Sequence, residues 1–114
     1  MAHTKYQDKL ISPEDLREII KPGNRVFLSS GPAMPARSVE AIVASESSNL
    51  QDLELIQLIT LGDLLTGEAC YERKYRLKTF NIGESISCEF SEGNVDFIPA
   101  NLMEIPLLLK SGAV

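Results

Sequence analysis

The residues with the clearest chemical potential form a glycine and proline turn between two apolar segments. Residues 25–30 predict a short strand, and residues 35–47 predict a helix whose Val39, Ile42 and Val43 recur at the spacing of one buried face. Unpaired backbone N–H groups and the helix dipole favour a negatively charged ligand at such a junction. The candidate residues for binding an anion or a carbonyl oxygen are Gly31, Pro32, Ala33, Met34 and Pro35. A plain structural turn would use the same residues.

A second candidate turn follows the most apolar segment of the chain. Residues 53–59 have the length and composition of a parallel strand covered on both faces, and we predict them to be the central strand. Thr60, Leu61 and Gly62 then leave the sheet at a carboxyl end, where ligands collect in parallel sheets. Gly31 stands alone where a dinucleotide fingerprint needs three glycines and a phosphate loop needs two plus a lysine, so neither motif is met.

The charge of the chain argues against a nucleic-acid partner. Its formal net charge is −5 over 114 residues, opposite to the basic surface that a phosphate backbone requires. The basic cluster consists of Arg73, Lys74, Arg76 and Lys78. It is either ordinary solvated surface or a binding site for the phosphates of a cofactor.

Few residues offer metal, redox or acid–base chemistry. Cys70 and Cys88 are too few and too isolated for a disulfide framework or a zinc site, and we expect both to be small reduced packing residues. His3 has no acid–base partner nearby in the sequence. We therefore expect no metal. The polar start and the short apolar runs predict neither a signal peptide nor a membrane span, and a cytoplasmic location is the default expectation.

Capping and turn signals position the remaining elements. Residues 12–15 predict a helix start with a capping box, followed by a buried stripe of Leu16, Ile19 and Ile20. Residues 21–24 fit a type II turn. Strands are predicted at 77–82 and 95–98 and helices at 85–92 and 101–110. Ile86 and Phe90 share one face of the first helix, Gly93 and Gly112 end the two helices, and Glu104 caps the second.

Strands and helices thus alternate, which predicts an α/β fold with a mainly parallel sheet flanked by helices. We expect one domain over residues 1–114, with 1–11 as a mobile leader. A fifth strand is expected after residue 114, so the chain either lacks it or is one piece of a larger protein.

Several stretches, in order, resemble the amino-terminal region of the acetyl-CoA hydrolase/transferase family, which includes acetate and 4-hydroxybutyrate CoA-transferases. The matching stretches are residues 21–27, Gly31 with Pro35, residues 60–62, 80–83, 92–99 and 102–106. The resemblance implies a CoA-transferase-like fold, in which two related domains face each other across an active site. It implies acyl-CoA and a small carboxylate as substrates, with coenzyme A carried between acyl groups.

The resemblance also implies which residues belong to the site. The family's glutamate nucleophile lies in the carboxyl-terminal half, so no catalytic residue is assigned in this chain. The substrate-binding positions that carry over are residues 31–35, 60–62 and the turn of Gly83, Glu84 and Ser85. Where the family would have an arginine after this turn the chain has Ser87, and Glu84 adds a carboxylate. These departures weaken attraction for an anionic substrate by roughly 1.5 to 3 kcal/mol, the contribution of a charged hydrogen bond.

Three functions remain open. The first is the amino-terminal part of a CoA-transferase or acyl-CoA hydrolase that is inactive without its carboxyl-terminal domain. The second is an inactive binding or interaction module of the same fold, whose uncovered sheet edge would be buried by a partner or in a homo-oligomer. The third is a sugar-phosphate isomerase of related fold, which lacks an evident acid–base pair here.

Overall fold

The described residues form one parallel sheet of four strands. The computed structural model describes residues 4–45, 52–59 and 75–114. The strands are β1 (Arg25–Leu28), β2 (Leu53–Gln57), β3 (Tyr75–Thr79) and β4 (Val95–Phe97), in the spatial order β1-β2-β3-β4. Each described pair of neighbours is parallel. The predicted α/β fold with a parallel sheet is confirmed, and β2 is an inner strand as expected.

Short helices connect these strands. They are α1 (Thr4–Gln7), α2 (Leu16–Ile19), α3 (Ala36–Val43), α4 (Ser87–Ser91) and α5 (Ile105–Ser111). Single 3-10 turns at Pro13–Asp15, Gly31–Ala33 and Glu84–Ile86 precede α2, α3 and α4. No helix in the described ranges has the length and apolar character needed to cross a bilayer.

The strand β3 lies earlier in the chain than the predicted 77–82. It begins at Tyr75, which is buried and pairs with Leu53. It ends at Thr79 because the hydroxyl of that residue bonds both backbone groups of Asn81. Thr79 Oγ1 accepts from the Asn81 N–H at 3.3 Å and donates to the Asn81 carbonyl at 2.8 Å. Those groups are therefore lost to the ladder. The other strands end one or two residues before their predicted ends.

Two apolar cores lie on opposite faces of the sheet, because side chains alternate along each strand. The first core lies under α2, α3 and α4 and contains Leu28, Val39, Ile42, Leu53, Leu55, Tyr75, Leu77, Ile86 and Val95. The second core lies under α5 and contains Ile56, Phe80 and Ile105. Burial on both faces explains the nearly continuous apolar composition of β2.

The predicted capping box at the start of the chain is confirmed. Ser12 Oγ accepts from the Asp15 N–H at 3.3 Å, and Asp15 Oδ2 accepts from the Ser12 N–H at 3.1 Å. The predicted stripe is wrong at Ile19, whose side chain is 60% exposed. The helix α2 is a single turn, and Ile20 is already extended at ψ 132°. Leu16 and Ile20 therefore pack on the first core without Ile19.

The predicted type II turn at residues 21–24 is present. Gly23 has φ +77°, and the Asn24 N–H bonds the Lys21 carbonyl at 3.1 Å.

The helices α3 and α4 are shorter than predicted. The helix α3 ends at Val43, and the predicted end at Ser47 lies outside the described residues; Val39 and Ile42 are buried and Val43 is half-buried. Ile86 and Phe90, which we predicted to share one face of the helix at 85–92, differ in burial. The 3-10 turn before α4 changes the angular spacing between them. Ile86 is buried, whereas Phe90 is exposed and meets Phe97 edge-to-face with centroids 6.3 Å apart.

The predicted end signals of α4 and α5 are confirmed. Gly93 and Gly112 both have positive φ, at +79° and +74°. The predicted start of the second helix at 101 is wrong: α5 begins at Ile105, and the 2.7 Å hydrogen bond from the Asn101 N–H to the Glu104 carboxylate closes the turn before it. Glu104 is therefore explained by structure alone.

Candidate functional site

The Gly31 turn lies at the carboxyl edge of the sheet, beside the end of β2. Gly31 has φ +59°, a conformation that favours glycine. The hydroxyl of Ser30 accepts hydrogen bonds from the backbone N–H groups of Leu58 at 3.0 Å and Ile59 at 3.1 Å. The side chain of Ser30 therefore fixes the turn to the segment that leaves β2.

The turn uses most of its own backbone donors. The Ala33 N–H bonds the Ser30 carbonyl at 3.3 Å, and the Met34 N–H bonds the Gly31 carbonyl at 3.1 Å. Pro32 and Pro35 have no N–H. The Gly31 N–H is therefore the one backbone donor within 31–35 that the turn itself does not use. The helix α3 begins only at Ala36, whose N–H bonds the Met34 carbonyl at 2.9 Å.

Two buried polar side chains lie next to each other at this edge. Gln57 and Thr79 are the last residues of β2 and β3, they pair in register, and both are 0% exposed. Gln57 Nε2 donates to the Ser29 carbonyl at 3.2 Å, which ties the end of β1 to β2. Gln57 Oε1 has no hydrogen-bond partner among the described residues. A buried acceptor without a partner is rare, and such groups are candidates for a water or ligand contact.

Sequence reasoning missed Gln57 because we treated residues 53–59 as one apolar run. The signal was present, since an uncharged polar residue stands within a mostly apolar predicted strand that precedes a candidate turn. Thr79 has no such signal in the sequence, where it is one residue of a predicted strand. Its burial became visible with the register of β2 and β3.

The Gly83 turn follows β3 at the same edge. Gly83 is half-buried at φ −85°, and the Ile86 N–H bonds its carbonyl at 3.3 Å. The Glu84 side chain is exposed, and Ser87 Oγ donates to the Glu84 carbonyl at 3.0 Å. Ser85 lies within this 3-10 turn. Because β2 lies between β1 and β3, the Gly31 and Gly83 turns flank the end of β2.

The third predicted group, Thr60, Leu61 and Gly62, lies outside the described residues. The structure therefore brings 31–35 and 83–85 to one edge of the sheet, together with Gln57 and Thr79. Asp63, His3 and Cys70 also lie outside the described residues.

The described cations of the basic cluster are paired with carboxylates. Lys78 Nζ lies 3.0 Å from Glu54 Oε2, and Arg76 Nε lies 3.5 Å from Asp96 Oδ2. Arg25 Nε adds a second contact to Glu54 Oε2 at 3.1 Å. The hydrogen bond from Lys78 is the main cause that lowers the pKa of Glu54, and the charges of Lys78, Arg25 and Arg76 add to it. These pairs favour ordinary surface chemistry over a phosphate site; Arg73 and Lys74 lie outside the described residues.

The expectation that Cys88 packs in the core is wrong. Its side chain is exposed, with Sγ 3.8 Å from Glu92 Oε1. It lies on the short helix α4, whose outer side faces solvent. Across the described residues, no group of three or more His, Cys, Asp or Glu side chains is arranged to hold a metal ion.

Two grooves among the described residues lie away from the carboxyl edge. One runs between α2 and α3 and is lined by Leu16, Arg17 and Ile42. Another, of about 450 Å³, is lined by Asp52, Glu54, Tyr75 and Arg76 near the amino ends of β2 and β3. The described residues at the carboxyl edge are the Gly31 and Gly83 turns and the strand ends at Gln57 and Thr79, which can form one wall of a site.

These observations define an α/β protein whose glycine turns and buried polar residues meet at the carboxyl edge of a parallel sheet. The chain matches the acetyl-CoA hydrolase/transferase N-terminal domain over residues 1–114. It therefore belongs to the acetyl-CoA hydrolase/transferase family, as the resemblance implied.

A characterised relative is similar over most of this chain. The succinyl-CoA:acetate/propanoyl-CoA:succinate CoA transferase of Fasciola hepatica is 30% identical over 92 residues, which are 80% of this chain and 19% of the relative. The chain thus spans about a fifth of the length of that relative.

Proposed function

We propose that this chain is the amino-terminal part of an acyl-CoA:carboxylate CoA-transferase or acyl-CoA hydrolase, and that it supplies substrate-binding turns but no nucleophile. The observation that carries the proposal is the pair of glycine turns that flank the end of β2, above the buried Gln57 and Thr79. Family membership supports acyl-CoA and a small carboxylate as substrates. The similarity to a CoA transferase supports the same class.

The contribution of this chain would be positioning and electrostatic stabilisation. The Gly31 N–H, at the start of a rigid turn held by Ser30, is the donor offered to a carboxylate or a developing oxyanion. The Gly83 turn forms the other side of the same edge. In this proposal residues 31–35, 60–62 and 83–85 contact substrate, and the reacting glutamate comes from a carboxyl-terminal domain that forms the second wall.

The described glutamates that we can assign have other roles, which supports an external nucleophile. Glu54 is held by Lys78 and Arg25 toward the amino ends of the strands. Glu104 accepts a hydrogen bond from the Asn101 N–H in the turn before α5. Glu84 is exposed in the Gly83 turn, where its charge opposes an anionic substrate.

The test is an exchange assay with acetyl-CoA and labelled acetate or succinate. We expect exchange from a polypeptide that continues past Val114 through the carboxyl-terminal domain, and none from residues 1–114 alone. Release of CoA without added carboxylate would assign hydrolysis rather than transfer. Turnover by residues 1–114 alone would contradict the proposal.

The second candidate function is an inactive binding module, and Ser87 with Glu84 is the observation that favours it. Ser87 is exposed, so an arginine fits there without repacking. If the chain serves an active enzyme, Ser87→Arg should lower the KM for the carboxylate by about tenfold, the effect of one charged hydrogen bond. Ser91→Arg, one turn further along α4 and also exposed, is the matched control and should change little. Acyl-CoA binding without any exchange would favour the inactive module.

A further inference from the structure

The helix α5 is apolar on its outer side as well as on its inner side. Exposed apolar residues of this region include Leu102, Met103, Pro106 and Leu107, here called the outer face of α5. Met103 is 88% exposed and Leu107 is 67% exposed. Leu102 and Met103 lie in the turn that leads into α5, four residues before Pro106 and Leu107. Exposed apolar clusters of this kind mark interaction surfaces.

The inner side of α5 is firmly attached to the sheet. Ile105 is buried in the second core, and Leu108 packs against that core. Arg25 Nη1 donates to the Gly112 carbonyl at 2.7 Å, which fixes the end of α5 to the start of β1. The orientation of α5 is therefore fixed by its inner side, and the outer face is a separate apolar surface. A helix that is apolar all round is typical of burial between two layers.

We propose that the outer face of α5 packs against polypeptide that continues from this same chain in a larger enzyme. The inference rests on the proposed function, in which a carboxyl-terminal domain follows. The similarity to the Fasciola hepatica protein supports it, because the matched residues are 19% of that protein.

A second copy of the chain and a membrane fit the outer face less well. Stable interfaces between separate proteins use roughly 20 to 30 residues a side, far more than this face supplies. A helix that lies on a membrane carries lysines and arginines along its polar side, whereas Lys110 is the only cation within α5. A covalently attached partner needs no large area, because it does not lose translational freedom on docking.

Methionine oxidation tests the proposal on the longer polypeptide, since sulfoxide formation follows exposure of the sulfur. The measurement is the rate of oxidation of Met103 by dilute hydrogen peroxide, followed by mass spectrometry. The matched control is the variant Ile19→Met, because Ile19 is 60% exposed on α2, which covers the other face of the sheet. We expect Met103 to react about tenfold more slowly than the introduced control, and the two to react alike in urea.

Two further measurements separate the outcomes. Leu107→Lys should restore fast oxidation of Met103 in the longer polypeptide, whereas Ile19→Lys should not. Equal rates at Met103 and the control site in the folded protein would overturn the inference. Protection of Met103 that appears only at high concentration would assign a second copy instead and also overturn it. The exchange assay is independent, so loss of exchange with protected Met103 would reject the proposed function alone.

Discussion

At the scale of single residues, the Gln57 carboxamide combines a structural bond with an open acceptor. Its Nε2 group ties β1 to β2 through the Ser29 carbonyl, whereas Oε1 is buried without a described partner. A buried polar atom that loses water without gaining a bond costs about 1 to 3 kcal/mol. The buried Gln57 Oε1 at the carboxyl edge is therefore consistent with a hydrogen bond that forms only with a ligand or a water molecule.

Substitution of Gln57 tests this assignment through stability. Gln57→Leu should change the free energy of unfolding by less than about 1 kcal/mol, because loss of one hydrogen bond is offset by removal of the open acceptor. Ser29 is exposed, so water can replace the lost donor. Gln57→Glu should cost about 3 kcal/mol or more at pH 7, because it buries a carboxylate without a cation. Urea denaturation measures both values.

The control is Thr79→Val, which removes a buried hydroxyl that is bonded to Asn81. It should cost about 1 to 2 kcal/mol. If Gln57→Leu costs as much as Thr79→Val, then Oε1 has a partner and the assignment of an open acceptor is wrong.

At the scale of elements, the two glycine turns have different reasons for their glycine. Gly31 needs a positive φ so that the chain can turn sharply from β1 into the 3-10 turn. Gly83 has φ −85°, which any residue adopts, and a Cβ there would meet nothing within 4 Å. The backbone therefore requires glycine in the first turn only.

The corresponding prediction compares two alanine variants. Gly31→Ala should lower the free energy of unfolding by about 1 to 2 kcal/mol, because the left-handed conformation is strained for alanine. Gly83→Ala should remain within about 0.5 kcal/mol of the wild type. Thermal or urea denaturation provides the comparison. A large loss for Gly83→Ala would show that an undescribed contact fills the space beside it. If Gly83→Ala nevertheless loses CoA exchange in the longer polypeptide, the turn contacts substrate.

At the scale of the whole molecule, the helices within the described residues cover the two faces of the sheet unequally. The helices α2, α3 and α4 cover the first core, whereas the second face carries α5 together with the charged row of Arg25, Glu54 and Lys78. Glu54 links three neighbouring strands, since its partners lie on β1 and β3. Its ionisation therefore contributes to the stability of the entire sheet.

Acid should weaken the fold partly through Glu54. The pKa of Glu54 is lowered in the folded chain, chiefly by the hydrogen bond from Lys78. A lowered pKa means that the folded state binds the proton less readily than the unfolded chain. The contribution is therefore present above the unfolded pKa and is lost as pH falls through the folded value. Glu54→Gln should flatten the dependence of unfolding free energy on pH below about 4.5.

The control for this prediction is Glu40→Gln, because Glu40 is exposed on α3. It should leave the acid dependence close to that of the wild type. Identical slopes for Glu54→Gln and the wild type between pH 3 and 5, the range around the ordinary carboxyl pKa of about 4.3, would contradict the role of Glu54.

Local signals in the sequence determined the elements, their parallel arrangement and the family. The capping box at Ser12, the positive φ at Gly23, Gly93 and Gly112, and the turn closed by Glu104 all depend on residues within a few positions of each other. Alternation of strands and helices then predicted parallel pairing. Such features can be predicted from the sequence because the interactions that stabilise them join residues only a few positions apart.

The tertiary structure alone decided which of these residues could act together. Burial of Gln57 and pairing of Lys78 with Glu54 depend on the register between segments about 20 residues apart. The exposure of Ile19 and Phe90 depends on where 3-10 turns shift the helical face. Only the backbone geometry showed that the N–H groups of Ala33 and Met34 are already hydrogen-bonded within the turn. A one-residue change of strand register would move each side chain of the strand to the opposite face of the sheet. Residue types alone do not specify that register.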